Sequence, residues 1–101
     1  MPIYVSITKS TNPKKKYTAI FSHHVNGKLK KIKTTHFGAA GMSDFTIHKD
    51  KARRELYLKR HEKREDWNKY MTAGSLSRYI LWNKPTFNGS LRDFKKRFKL
   101  K

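Results

Sequence analysis

Residues 3–8 alternate Ile3, Val5 and Ile7 with Tyr4, Ser6 and Thr8, the period-two pattern of a strand with one buried face, and run into the turn cluster Ser10-Thr11-Asn12-Pro13. A second strand is predicted over residues 16–25. The Asn26-Gly27 pair behind it is the strongest short hairpin signal in the chain, because both residues accept the positive φ of a type I′ turn. With these two as the loop, Val25 faces Lys28, and counting back pairs Phe21 with Ile32, Ala19 with Thr34 and Tyr17 with His36. That register puts Tyr17, Ala19, Phe21 and Ile32 on a core face and Lys31 and Lys33 on the other, beside Thr18 and Ser22. The expectation is a three-stranded antiparallel meander over residues 2–37 with one lysine-rich face.

The pattern then changes. Phe37-Gly38-Ala39-Ala40-Gly41-Met42 is small and turn-prone, so the chain should redirect before Ser43 or Asp44 caps a short helical turn. Asp50 caps a longer predicted helix through about residue 65, with Glu55 four residues before Lys59 and a narrow stripe of Ala52, Leu56, Tyr57 and Leu58. Thr72 caps a helix whose Leu76, Tyr79 and Ile80, with Trp82 beside them, have the spacing of a buried stripe; Asn83 and Pro85 end it. Thr86 caps the last helix, in which Phe87, Leu91, Phe94 and Phe98 form a sustained apolar face better suited to a core than to stacking on bases. The predicted fold class is α+β: an N-terminal three-stranded antiparallel meander followed by three to four short helices. The whole chain, 1–101, reads as a single basic domain with its helical half over residues 43–98.

Charge changes this picture more than anything else. There are 25 Lys plus Arg against 7 Asp plus Glu, a formal +18, with 36% hydrophobic and 32% charged residues. A modest core must hold such a chain together against its own repulsion, and the field it creates attracts any polyanion. Net charge of about 2 to 8 suffices for solubility, so +18 points to an acidic partner: nucleic acid, an acidic protein surface or an anionic membrane. With no cysteine, the chain can form neither a disulfide framework nor a thiolate metal site. The opening Met1-Pro2-Ile3-Tyr4-Val5 lacks the basic and apolar regions of a signal peptide, and no apolar run approaches the ~20 residues of a membrane span. The expectation is a soluble protein, inside a cell or packaged within a particle.

Chemistry-bearing constellations are sparse. His23 and His24 are adjacent in a predicted strand and point to opposite faces, and His48, Asp50 and His61 match no known ligand spacing, so no metal site is expected. Asp44 and Asp50 read as helix caps, and Glu55, Glu62, Glu65, Asp66 and Asp93 as surface ion-pair partners rather than a nuclease cage. Nucleophile-elbow, P-loop and dinucleotide fingerprints are missing from the sequence. The chain is therefore expected to be no enzyme, with no catalytic residues, no cofactor and no small-molecule substrate.

The basic clusters remain as candidate contacts. They are Lys14, Lys15 and Lys16 on the first loop; Lys28, Lys30, Lys31 and Lys33 on the third strand; Arg53, Arg54, Arg60 and Arg64 on the long helix; and Lys95, Lys96 and Arg97 near the end. Charge in every element argues for many-sided contact with a backbone or surface rather than base readout by one recognition element.

The run Thr35-His36-Phe37-Gly38-Ala39-Ala40-Gly41-Met42-Ser43-Asp44-Phe45-Thr46-Ile47-His48-Lys49-Asp50, with Tyr57-Leu58-Lys59-Arg60-His61, Glu65-Asp66-Trp67-Asn68, Met71-Thr72-Ala73-Gly74 and Leu81-Trp82-Asn83-Lys84-Pro85-Thr86, resembles a family of small basic proteins. That family is encoded by nucleocytoplasmic large DNA viruses, including chloroviruses, mimiviruses and marseilleviruses, and the resemblance covers nearly the whole chain. Where the family usually has aspartate-proline after its Trp-Asn pair, this chain has Lys69-Tyr70, so the connection into the next helix differs. The resemblance implies a viral origin and brings no active site. It implies a virion protein, present also in the cytoplasm of the infected eukaryotic cell during assembly.

Two functions follow as expectations. The first is a minor capsid protein that cements the shell, its basic faces meeting the major capsid protein, other minor capsid proteins or the inner membrane surface. The second is a nucleic-acid-binding protein that packages or condenses the viral DNA.

Overall fold

The computed structural model describes residues 2–101 and has the expected α+β arrangement. Strands β1 (Tyr4–Lys9), β2 (Lys15–Val25) and β3 (Lys28–Ala39) form an antiparallel sheet in the order β1-β2-β3. Four helices follow: α1 (Phe45–His48), α2 (Lys51–His61), α3 (Ala73–Leu76), which continues into a π-helical turn (Ser77–Leu81), and α4 (Phe87–Phe98). The body measures 47 × 28 × 25 Å, elongated because the β2-β3 hairpin runs on as an arm of largely exposed residues.

The caps sit where local chemistry demands. Asp44, Asp50, Thr72 and Thr86 have extended backbones, and their side chains accept from the first free N–H groups of α1, α2, α3 and α4. At the hairpin Asn26 and Gly27 both take positive φ, 52° and 78°, and Val25 pairs with Lys28. Gly38 also needs its positive φ of 79°, and a Cβ there would lie 2.8 Å from Leu81 Cδ1.

Beyond the turn the register departs from the count. A β-bulge leaves Ile32 without a partner, so Phe21 faces Lys33, Ala19 faces Thr35 and Tyr17 faces Phe37, rather than Ile32, Thr34 and His36. A one-residue slip exchanges the two faces of a strand, and the bulge absorbs that slip. It turns Phe37 inward, where it is fully buried, and leaves Ile32 42% exposed. His36 goes to the outer face, where its ring hydrogen-bonds with Ser10 and Thr18. The single lysine-rich face is thereby corrected: Lys28, Lys30 and Lys33 pair with Val25, His23 and Phe21 on the helix side, while Lys31 pairs with Ser22 on the other.

The core lies between the sheet and the second half of the chain. Val5, Ala19, Phe21 and Phe37 pack against Leu76, Tyr79, Ile80, Leu81, Phe94 and Leu100. The wider π turn, closed by the Trp82 N–H bonding to the Ser77 carbonyl, allows three successive residues, 79–81, to reach this core. On α4, Phe94 is buried, and Phe87, Leu91 and Phe98 border it. The chain end closes the edge of β1: the Val5 N–H donates to the Lys101 carbonyl and the Lys101 N–H to the Ile3 carbonyl, at 2.9 and 2.8 Å.

Helix α2 departs from expectation in three respects. It stops at His61 rather than 65, because Glu62-Lys63-Arg64 offers nothing to bury. Every one of its residues keeps some surface in solvent, with Leu56 61% exposed, so the Ala52-Leu56-Tyr57-Leu58 stripe does not enter the core. Glu55 takes the neighbouring Arg54 guanidinium at 2.7 Å instead of Lys59, since Arg54 is already held over the Phe45 ring.

One ion pair ties the two halves together. Asp44 is 2% exposed, caps α1 through the Thr46 N–H, accepts from the Thr46 hydroxyl, and pairs with the Lys16 ammonium at the start of β2. A second acid, Asp93, joins α4 to the preceding turn by accepting from Asn83 Nδ2 at 2.6 Å and Arg97 at 3.3 Å. Partial burial pushes its carboxyl up, but the Asn83 hydrogen bond and Arg97 outweigh this and hold it below the ordinary value.

Three outcomes follow. Phe21→Ala should cost about 3–5 kcal/mol in urea unfolding and Ile32→Ala less than about 1, the reverse of equal core partners. Asp44→Ala should cost about 3–5 kcal/mol by stranding Lys16, and a double-mutant cycle with Lys16→Met should show strong coupling; additive losses would exclude the tie. Asp93 has a lowered folded-state pKa, so its contribution is fully present above the unfolded value of about 3.9 and is lost as pH falls through the folded one. In Asp93→Asn, the urea midpoint should fall less steeply between about pH 4 and pH 2 than in the parent.

Candidate functional site

A cleft of about 400 Å³ opens between α2 and the end of β3. Its floor is apolar, Gly38, Ala39 and Leu81, and Gly38 lies too close to Leu81 to carry a side chain. Its far side carries Ser43 and the Asp44-Lys16 pair. The α2 side presents Tyr57, Arg60 and His61, at the i, i+3 and i+4 spacing that brings side chains to one side of a helix, with Arg64 joining them from the turn after it.

The rings in this wall are stacked. Tyr57 lies between Trp82, 4.2 Å away and inclined by 3°, and His61, 4.2 Å away and inclined by 29°. His48 closes against Trp82 at 5.3 Å, while its Nδ1 accepts from the Asp50 N–H. Burial is the main cause that raises the Tyr57 hydroxyl above its ordinary pKa, with Glu65 adding to it and Arg78 and Arg60 opposing. The phenol therefore stays protonated at neutral pH. Arg78, half-buried behind the wall, lies over the Trp67 and Tyr79 rings at 5.3 and 5.1 Å, and burial lowers its pKa below the ordinary value.

The sequence-predicted basic residues are distributed as follows. Lys14 and Lys15 are exposed at the first loop, but the charge of Lys16 is matched by Asp44, so it is no free cation. Lys28, Lys30, Lys31 and Lys33 are exposed along the hairpin arm, on both of its faces. Arg53 is exposed, whereas Arg54 turns inward over Phe45 and onto Glu55. Arg60 and Arg64 meet in the cleft. Lys95 is half-buried and Lys96 exposed, and Arg97 lies between Asp93 and the Tyr79 ring, 5.0 Å from its centroid. The structure thus gathers two of the fourteen as free cations in a cleft and leaves most of the others on open surface.

Tyr57, His61 and Trp82 are the site residues that sequence reasoning missed. The 57/60/61/64 periodicity was available, but it alternates rings with arginines and so escapes a search for hydrophobic stripes. Trp82 reads as core from its own helix, and only the tertiary fold brings it onto Tyr57. Among the described residues no group of three or more His, Asp or Glu converges as a metal cage would require. No helix among them is long and apolar enough to cross a membrane.

No curated protein and no solved structure matches the chain. A family model does, over residues 5–61, from β1 to the end of α2 and including the Arg60-His61 part of the cleft wall. The chain belongs to DUF5754, a family of unknown function.

Proposed function

We propose that this chain is a non-enzymatic nucleic-acid-binding protein of a large DNA virus, one that packages or condenses the genome inside the virion. Of the two functions expected from sequence, the geometry gives this one more support. The observation that carries it is the pairing of charge on all sides with a cleft that combines free arginines and a ring stack. Seven carboxylates stand against 25 Lys plus Arg, and three of the seven are matched within the chain, Asp44 by Lys16, Glu55 by Arg54 and Asp93 by Arg97. Lysines on both faces of the arm suit a polyanion that wraps around the protein, since phosphates can be met from either side.

One observation favours the other reading, a minor capsid protein cementing the shell. Leu29 and Ile32 on the arm are 57% and 42% exposed, and Met42, Ile47 and Leu56 are also open. Phosphate contact has no use for them, whereas an acidic protein surface with apolar patches would cover them.

Salt separates the two. Any protein with +18 holds DNA at low ionic strength, so binding is measured at 0.15 M, where the Debye length is about 8 Å. The packaging reading expects duplex DNA to stay bound there. It also expects replacement of Lys28, Lys30, Lys31 and Lys33 by Gln to flatten the slope of log affinity against log salt by about 0.9 for each phosphate that is no longer neutralised. A protein that has released DNA at 0.15 M, and that stays with opened particles after the genome is washed away, is the cement instead.

A further inference from the structure

We infer that the cleft between α2 and β3 takes one unstacked nucleotide of a single strand, its phosphate on Arg60 and Arg64 and its base on the exposed end of the ring stack. The inference rests on the nucleic-acid reading and adds a strand class to it.

The stack has a direction. Both faces of Tyr57 are occupied, by Trp82 and His61, and His48 leans on Trp82 at 5.3 Å, inclined by 56°. The His61 ring, which has a single ring neighbour, lines the cleft and is the end on which a further ring can continue the series. Base–aromatic stacking needs such a platform and tolerates every base, since each has a π face. Here the platform is held by its own stacking, so little side-chain freedom is lost when a base arrives.

The charges are placed for the other half of the ligand. Arg60 and Arg64 are four residues apart on the α2 side and flank His61, so a phosphate attached to a base on His61 lies within reach of either planar guanidinium. The last turn of α2 also contains Lys59, which helps offset the partial negative charge of a helix C-terminus. Asp44, the carboxylate that lines the cleft, is already matched by Lys16, and Glu65, which acts on the Tyr57 hydroxyl, does not line it. At about 400 Å³ the cleft falls within the range of small-ligand sites, with room for one nucleotide and not for a base pair. A duplex base, stacked on both sides, would have to be extruded to enter, at a cost a single strand does not meet.

The test uses the full chain at 0.15 M salt, with a labelled thymidine oligonucleotide, a duplex of the same length and thymidine monophosphate. The expected result is tighter binding of the single strand than of the duplex. Arg60→Gln with Arg64→Gln should remove that preference, costing the strand about tenfold or more while leaving duplex affinity within about threefold. His61→Ala should do the same by removing the platform while both arginines stay in place. Lys28→Gln with Lys30→Gln should instead weaken strand and duplex alike. All these positions are on the surface or at its edge, and unchanged urea midpoints verify that the variants fold. If the duplex binds as tightly as the strand and the cleft variants act no differently from the arm variant, the inference is wrong while polyanion binding stands. If neither nucleic acid binds, the nucleic-acid reading fails and the inference with it. Monophosphate that binds as tightly as the strand, and loses binding in Arg60→Gln/Arg64→Gln, supports the site and assigns it to free nucleotides.

Discussion

The Asp44-Lys16 pair is the interaction on which the arrangement of this molecule turns. Asp44 stands at the switch from sheet to helices, caps α1, and reaches back to the first residues of β2. Taking a carboxylate and an ammonium out of water is costly, and the pair is tolerable because Thr46 satisfies one oxygen of Asp44 while Lys16 meets the other. The gain is positional: the β3-α1 connection is fixed against the sheet, and α2, which hangs from α1, is held facing the end of β3. The cleft exists because of that placement. The pair also forms a partition, since a second and more open cleft of about 550 Å³, between the first loop and α1, has the same two residues in its wall.

A second constraint is the contest between a small core and a large charge. Among the described residues eleven hydrophobic ones are buried, and rings supply much of the packing: buried Tyr79 and Phe94 with partly buried Tyr70 and Phe98 form a cluster of tilted and edge-on rings at 5.0 to 6.4 Å. Rings supply large contact area with few rotatable bonds, which suits a chain that has few aliphatic residues to order. Arginines join in by lying on them, as Arg78 does on Trp67 and Arg97 on Tyr79, so that part of the positive charge is accommodated by ring faces rather than by acids. The same habit, arginine beside ring, recurs on α2 where nothing covers it. What packs the interior elsewhere becomes there a surface open to a ligand.

The division between arm and body gives the molecule two kinds of contact. The arm offers lysines on flexible stems, which meet charge without regard to shape. The cleft offers planar guanidinium groups and a ring, which meet charge only in a particular shape. A polyanion met by both would be held loosely along its length and gripped at one unit.

What the sequence determined by itself is the local grammar. The Asn26-Gly27 turn, the caps at Asp44, Asp50, Thr72 and Thr86, and the apolar face of α4 are all legible, because each depends on φ preferences or hydrogen bonds within a few residues. The charge is equally legible, because it depends on composition alone. Only the tertiary structure decided the bulge at Ile32, since counting from a turn cannot know that the core needs Phe37 rather than His36. Only it decided that α2 would lie outside the core, that the charge of Lys16 would be matched by an acid 28 positions away, and that Trp82 would complete a stack begun by Tyr57 and His61. The physical reason is the same in each case. Burial is a property of the assembled surface, and in a chain with so few apolar residues, which of them are covered is settled by long-range packing rather than by any local pattern.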